Sequence, residues 1–152
     1  MKKIMFICHG NICRSPMAEA IFNDLVEKEG LKDKYFAASS AVSTEEIYCG
    51  TGNPIDRRAR RTLSKYNVPV GDHRATLLTR EDYPKYDYFV CMDGSNRRHA
   101  ARILGRDPDN KIKCMSEYLG RDVADPWYSG DFERAYDDIT KGCRALLDCL
   151  EK

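Results

Sequence analysis

Strand-like and helix-like segments alternate along this chain, and their order constrains the fold more than any other feature. Four short apolar or β-rich runs lie at Lys3–Cys8, Tyr35–Ala41, Tyr86–Met92 and Lys111–Met115. Between and after them come longer stretches with helical spacing: Pro16–Glu29, Pro54–Tyr66, Ser95–Leu104 and Asp131–Leu150. In the first helical stretch Ala18, Ile21, Phe22, Leu25 and Val26 share one face. In the last, Phe132, Tyr136, Ile139, Cys143, Leu146 and Leu150 recur at the same period. Strands separated by helices are joined by crossovers, which predicts an α/β fold with a parallel sheet covered on both faces. Such sheets bind ligands at the carboxyl ends of their strands, and the first strand ends at Cys8. Segments Val42–Asn53, Val68–Ala75 and Leu119–Gly130 read as loops that reach the same sheet edge.

With 152 residues the chain is expected to form one domain, 1–152, around one core. A net charge of +1 provides no global field for nucleic acid or a membrane surface, so neither is expected as a partner. No apolar run approaches the roughly 20 residues that a spanning helix needs. The apolar start meets Cys8-His9-Gly10-Asn11 too soon for a signal peptide. The seven cysteines form no CxxC pair and no zinc spacing. Free thiols in a reducing cytosol are the expectation, with no metal and no cofactor.

Among these cysteines, Cys8 stands apart. It opens the segment Cys8-His9-Gly10-Asn11-Ile12-Cys13-Arg14-Ser15-Pro16 between the first strand and the first helix. A loop of this length can turn its backbone N–H groups inward as an anion nest, and the following helix presents its N-terminus to the same point. Gly10 permits a positive φ, and Asn11 tolerates one better than most residues. Pro16 suits a first helical turn. Arg14 offers a planar fork to two phosphate oxygens. These positive surroundings favour the thiolate form of Cys8, to which the Ser15 hydroxyl can donate a hydrogen bond. The bare Cys-to-Arg spacing recurs at Cys91–Arg97, also after a strand. That second loop carries Asp93, whose charge repels phosphate, and no Ser-Pro follows its arginine.

Cys8 through Pro16, continued by Met17-Ala18-Glu19-Ala20, resembles the signature of the low-molecular-weight protein tyrosine phosphatases. The resemblance extends through Ser39-Ser40-Ala41, Gly52-Asn53-Pro54, Cys91-Met92-Asp93 and Asp125-Pro126-Trp127-Tyr128. It implies a four-stranded parallel sheet flanked by helices, with the phosphate loop between the first strand and the first helix. It also implies a cysteinyl-phosphate mechanism without metal, a general acid in a late Asp-Pro loop, and phosphotyrosine proteins or peptides as partners.

Phenolate is a moderate leaving group, so a proton donor near the phosphate would accelerate its departure. Asp125 precedes Pro126, which stiffens the turn, and Trp127 and Tyr128, which are expected to wall the substrate ring. Asp107-Pro108 is a second such dipeptide without aromatic neighbours, and Asp122 is a weaker competitor. His9, Gly10, Asn11, Ile12 and Cys13 are the expected phosphate-facing residues of the loop, with the His9 side chain pointing outward. The resemblance makes Asn11 and Ser39 the residues that hold the loop in shape. It brings His73 near the same network and makes Asp93 a supporting residue. Cys13 either packs beneath the loop or closes a disulfide with an oxidised Cys8.

The chain departs from the family pattern after the second strand. An aromatic residue is expected on the pocket rim there. This sequence has Glu45 at that position, about three extra residues before Gly52, and Tyr48 as a displaced source of the ring. Three other readings share parts of the pattern. An arsenate reductase would need two further relay cysteines, and after Cys91 the next is Cys114. A protein arginine phosphatase would carry Thr at Ile12. A non-catalytic phosphopeptide-binding module would lack Cys8, Arg14 or Asp125.

Overall fold

The computed structural model describes residues 1–152. Strand β1 (Lys2–Cys8) is followed by helix α1 (Arg14–Lys28), β2 (Tyr35–Ala41), the short pair β3 (Ile47–Tyr48) and β4 (Thr51–Gly52), and α2 (Arg57–Lys65). Then come a 3₁₀ turn at Arg80–Lys85, β5 (Tyr88–Cys91), α3 (Gly94–Leu104) and β6 (Ile112–Cys114). The chain closes with α4 (Ser116–Leu119), α5 (Pro126–Ser129) and α6 (Phe132–Leu150).

The main sheet has four strands in the order β2-β1-β5-β6, and every pairing is parallel. Strand β1 is central because it is apolar on both faces, with Ile4 through Cys8 buried. Side chains alternate along it. Ile4, Phe6 and Cys8 join the larger core with Met17, Phe22, Val90, Ile139 and Leu146, beneath α1 and α6. Met5 and Ile7 join the smaller core with Leu78, Phe89, Ala100 and Leu104, on the α3 side. A register slip of one residue would send Cys8 into the wrong core. The four-stranded parallel sheet with helices on both faces is therefore the architecture that the alternation required.

Boundaries moved where local capping outweighs the periodic pattern. Helix α2 begins at Arg57 because Asp56 accepts from the Arg58 N–H at 2.8 Å, leaving Pro54 outside. Helix α1 begins two residues before Pro16, which sits in its first turn. The segment Val42–Asn53, expected to be a loop, contains the β3–β4 hairpin. Its two turn residues, Cys49 and Gly50, both have positive φ (50° and 77°), as a tight hairpin with right-handed strand twist demands. Strands of two residues leave no alternation to read. Gly52 ends the hairpin where an added Cβ would lie 1.9 Å from the Ala75 carbonyl oxygen, so the hairpin docks only with glycine there. The stretch expected as the loop Leu119–Gly130 begins on the last residue of the short helix α4 and contains the short helix α5.

Candidate active site

The turn from β1 into α1 is built around Asn11. This residue is wholly buried and has a φ of 63°, in the left-handed region that Asn tolerates better than other non-glycine residues. Gly10 does not carry the positive φ expected of it. Its lack of a side chain matters for another reason, since a Cβ there would meet Glu46 Cγ at 3.1 Å. The Asn11 side chain donates from Nδ2 to Ser15 Oγ (2.7 Å) and Ser39 Oγ (3.0 Å), and its Oδ1 accepts from the Thr76 N–H (3.0 Å). Ser39 passes its own hydrogen to Glu19 at 2.6 Å. His73 Nε2 lies 2.7 Å from the Asn11 carbonyl oxygen; a carbonyl only accepts, so this nitrogen carries the hydrogen. The expected contacts of Asn11 with Ser39 and of the loop with His73 are both present.

This frame aims two donors at one sulfur. The Asn11 N–H points to Cys8 Sγ at 3.3 Å, and Ser15 Oγ lies 3.0 Å from it. Because Ser15 already accepts from Asn11, its hydroxyl hydrogen is free to turn toward the sulfur. Helix α1 starts at the same point with no side-chain cap on its first turn and no acidic residue there. Its leading N–H groups therefore remain open to an anion.

Arg14 is 3% exposed and supplies the positive charge. Its Nη1 donates to Asp93 Oδ2 (2.7 Å) and to the Val123 carbonyl (2.9 Å), and its Nη2 lies 3.5 Å from Asp125 Oδ2. Burial alone would lower the Arg14 pKa, but Cys8, Asp93 and Asp125 outweigh it and push the value up. For Asp93, burial works against the charge, yet the Asn96 N–H and the Arg14 guanidinium prevail and hold its pKa below the ordinary carboxylate value. Asp93 also caps α3 through the Asn96 N–H at 2.8 Å. The residue that makes the second Cys-to-Arg loop hostile to phosphate thus grips the arginine of the first loop.

Asp125 reaches the site from the far end of the chain. Its Oδ1 accepts from the Trp127 N–H at 3.0 Å and caps α5, with Pro126 as the first helical residue. Cys8, His9, Gly10, Ile12, Cys13, Arg14, Glu45, Glu46, Asp125, Trp127 and Tyr128 line one cavity of about 110 Å³. Of the residues expected to face the phosphate, Asn11 alone is absent from this lining, because its side chain serves the frame beneath. Trp127 and Tyr128 are 51% and 85% exposed, so they stand as a wall with one face toward solvent. Cys13 is buried, and that burial, followed by the charges of Asp56, Cys8 and Asp125, pushes its thiol pKa far up. A larger cavity of about 270 Å³ lies between α1 and Pro69–His73, but it has no cysteine, lysine or arginine in its wall.

The rim differs from the expectation of a displaced aromatic ring. Tyr48 sits on β3, 63% exposed, and does not line the cavity. Glu45 and Glu46 form that side instead. Glu45 pairs with His9 Nε2 at 3.0 Å, and Glu46 accepts from Asn53 Nδ2 at 3.0 Å. The extra residues form the hairpin turn and carry Tyr48 away from the mouth.

The competing residues lie elsewhere. Cys91 is wholly buried in the smaller core, opposite Cys114 in the β5–β6 register. Asp107 caps the turn before β6, accepting from the Lys111 and Ile112 N–H groups. Asp122 is exposed and does not line the cavity. Sequence reasoning missed Thr76, Glu19, the Val123 carbonyl and Asp56, whose N–H donates to the Ile12 carbonyl at 2.8 Å. Only Asp56 left a readable signal, as an N-cap residue before a polar helix.

A thiol in an N–H-lined turn at a strand's carboxyl end, a buried arginine beside it and a carboxylate opposite define a phosphate-loop α/β protein. The pattern described as low molecular weight phosphotyrosine protein phosphatase matches residues 3–152. A phosphatase of that description from Gallus gallus is 38% identical, over 97% of this chain and 95% of its own. The crystal structure of YfkJ from Bacillus subtilis superposes with a TM-score of 0.92 at 34% identity, covering 99% of this chain and 95% of that one. The low molecular weight protein tyrosine phosphatase SP-PTP from Streptococcus pyogenes gives a TM-score of 0.87 at 35% identity, with 99% and 93% covered. The chain belongs to the low molecular weight phosphotyrosine protein phosphatase family.

Proposed function

We propose that this protein hydrolyses phosphotyrosine in proteins or peptides through a phosphorylated Cys8. The observation that carries the reading is the convergence of Cys8 Sγ, the uncapped start of α1, Arg14 and Asp125 on one cavity walled by Trp127 and Tyr128. The phosphate dianion sits against the loop N–H groups and the Arg14 fork. The Cys8 thiolate attacks phosphorus, forming an S–P bond as the bond to the phenolic oxygen breaks. Asp125 gives its proton to that oxygen, and tyrosine leaves. A water then attacks phosphorus while the Asp125 carboxylate takes its proton. The S–P bond breaks, returning thiolate and inorganic phosphate. Ser15 and the Asn11 N–H stabilise the sulfur as a leaving group in this second step.

The related readings fit less well. A relay through Cys91 would need a thiol that is packed in the opposite core, beneath the sheet face that Cys8 does not share. Ile12 presents no hydroxyl for a guanidinium leaving group. A thiol nucleophile also suits the reducing, cytoplasmic setting expected from the unpaired cysteines.

Steady-state hydrolysis of phosphotyrosine beside phosphoserine and phosphoarginine, with arsenate reduction assayed separately in the presence of a thiol reductant, tests the reading. Phosphotyrosine is expected to be the preferred substrate, and Cys8→Ser to abolish turnover while still binding inorganic phosphate. Turnover that survives Cys8→Ser but is lost in Cys91→Ser would refute it.

A further inference from the structure

We infer that Arg58 is a positioning residue that ties the loop bearing Asp125 to the phosphate loop. The inference rests on the reading of Asp125 as proton donor. Arg58 lies in the first turn of α2, and three independent contacts meet on its guanidinium. Its Cζ lies 5.4 Å from the Trp127 ring centroid and 4.7 Å from the Phe132 ring centroid. Its Nε and Nη2 each donate to the Asp56 carboxylate at 3.2 Å. The Asp56 N–H in turn donates to the Ile12 carbonyl of the phosphate loop at 2.8 Å. On the other side Trp127 belongs to the four-residue α5, whose N-cap is Asp125 itself. Phe132, the first residue of α6, is buried where the chain leaves α5.

The path from Ile12 to Asp56, Arg58, Trp127 and Asp125 is continuous. Other side chains hold the acid loop at Val123, whose carbonyl accepts from Arg14 at 2.9 Å, and at Arg121, which pairs with Asp138, but none of them touches Trp127; the direct Arg14–Asp125 contact at 3.5 Å is too long for a hydrogen bond with good geometry. Asp125 is held directly by one short bond, from the Trp127 N–H. The carboxylate therefore goes where Trp127 goes. Trp127 is half exposed and makes no hydrogen bond through its indole, so the flat guanidinium is the charged surface that pins its ring. Lysine would keep the charge but lose both the fork onto Asp56 and the planar stacking. Arg58 touches neither the sulfur nor the phosphate site, so its effect is confined to how often Asp125 stands in proton-transfer geometry.

Four proteins test this: the unchanged chain, Arg58→Ala, Asp125→Asn and the double variant, each assayed with phenyl phosphate and with an aryl phosphate whose phenol is strongly acidic. Arg58→Ala is expected to lower kcat/KM, which reports only the steps up to phosphorylation of Cys8, on phenyl phosphate by about 3–10-fold, the factor expected for losing exposed cation–π contacts. On the acidic phenol the loss should be under about 2-fold, because a good leaving group needs no proton. Inhibition by inorganic phosphate should be unchanged, and Arg58→Ala should add nothing in the Asp125→Asn background. Arg58→Lys, which keeps helix and charge, should recover only part of the loss, and it stands in if Arg58→Ala fails to fold. An equal loss on both substrates, an equal loss in both backgrounds, or a weakened phosphate inhibition would overturn the role of Arg58 while leaving Asp125 as donor. If Asp125→Asn is itself as fast as the unchanged chain, the donor reading falls and the Arg58 inference falls with it.

Discussion

Replacing Asn11 by alanine tests whether the phosphate loop is held from beneath by one side chain. The substitution removes three hydrogen bonds, to Ser15 (2.7 Å), Ser39 (3.0 Å) and Thr76 (3.0 Å), from a position with no solvent exposure. A net intramolecular hydrogen bond is worth roughly 0.5–1.5 kcal/mol, and more where a buried partner is left without a replacement. The φ of 63° adds a further penalty of about 1–2 kcal/mol, because alanine lacks the polar side chain that lets Asn adopt the left-handed region. Together these predict a destabilisation of about 3–6 kcal/mol, a large share of the stability of an ordinary domain. Urea unfolding followed by far-ultraviolet dichroism measures it, with the slope m checked for constancy. Asn11→Gly separates the two contributions. It loses the same bonds but keeps the permitted φ, so it should be less destabilised than Asn11→Ala by about 1 kcal/mol. Both variants should also lose kcat and phosphate affinity, because the Ser15 hydroxyl and the Asn11 N–H then lose their aim at Cys8. A change below about 1 kcal/mol in Asn11→Ala would refute the reasoning, as would normal phosphate affinity in a folded variant.

Asp125→Asn should lower kcat/KM for phosphotyrosine by about 10²–10⁴-fold, and the loss should shrink as the leaving phenol becomes more acidic; equal losses in kcat/KM across phenols of widely different acidity would exclude Asp125 as donor. Asp93 has a folded pKa lowered below the ordinary value of about 3.9. Its ionised form therefore stabilises the fold above that pH, and the contribution is lost as pH falls through the folded value. The stability gap between the unchanged chain and Asp93→Asn should be constant from pH 7 to about 5 and close on further acidification, and a gap independent of pH in urea titrations down to pH 3 would count against it. Peroxide should inactivate the enzyme reversibly: Cys8 sulfenic acid condenses with the Cys13 thiol to a disulfide and water, visible by mass spectrometry. Thiol recovery that persists in Cys13→Ala would remove the protective role of Cys13.

The strand-helix alternation and the segment from Cys8 to Pro16 were legible because their physics is local. A strand that alternates into two cores, a turn that needs Asn at a positive φ, and a helix start with free N–H groups are each decided within a few residues. Asp125 was legible for the same reason, through the proline and aromatic residues beside it. What the order of residues could not show is who meets whom across the sheet edge. The grip of Asp93 on Arg14 spans 79 positions, and that of Arg14 on the Val123 carbonyl spans 109. Thr76 reaches Asn11 through a backbone N–H, which every residue but proline possesses and which therefore leaves no trace in the sequence. The rim turned from aromatic to acidic because two residues with positive φ, Cys49 and Gly50, close a hairpin that turns Tyr48 away and leaves Glu45 and Glu46 at the mouth. Local chemistry thus determined the proposed nucleophile Cys8, its loop and the layered fold. The tertiary structure alone decided which distant side chains hold that loop, which residues wall the cavity and how the Asp125 carboxylate is held over it, because those contacts depend on chain segments that only packing brings together.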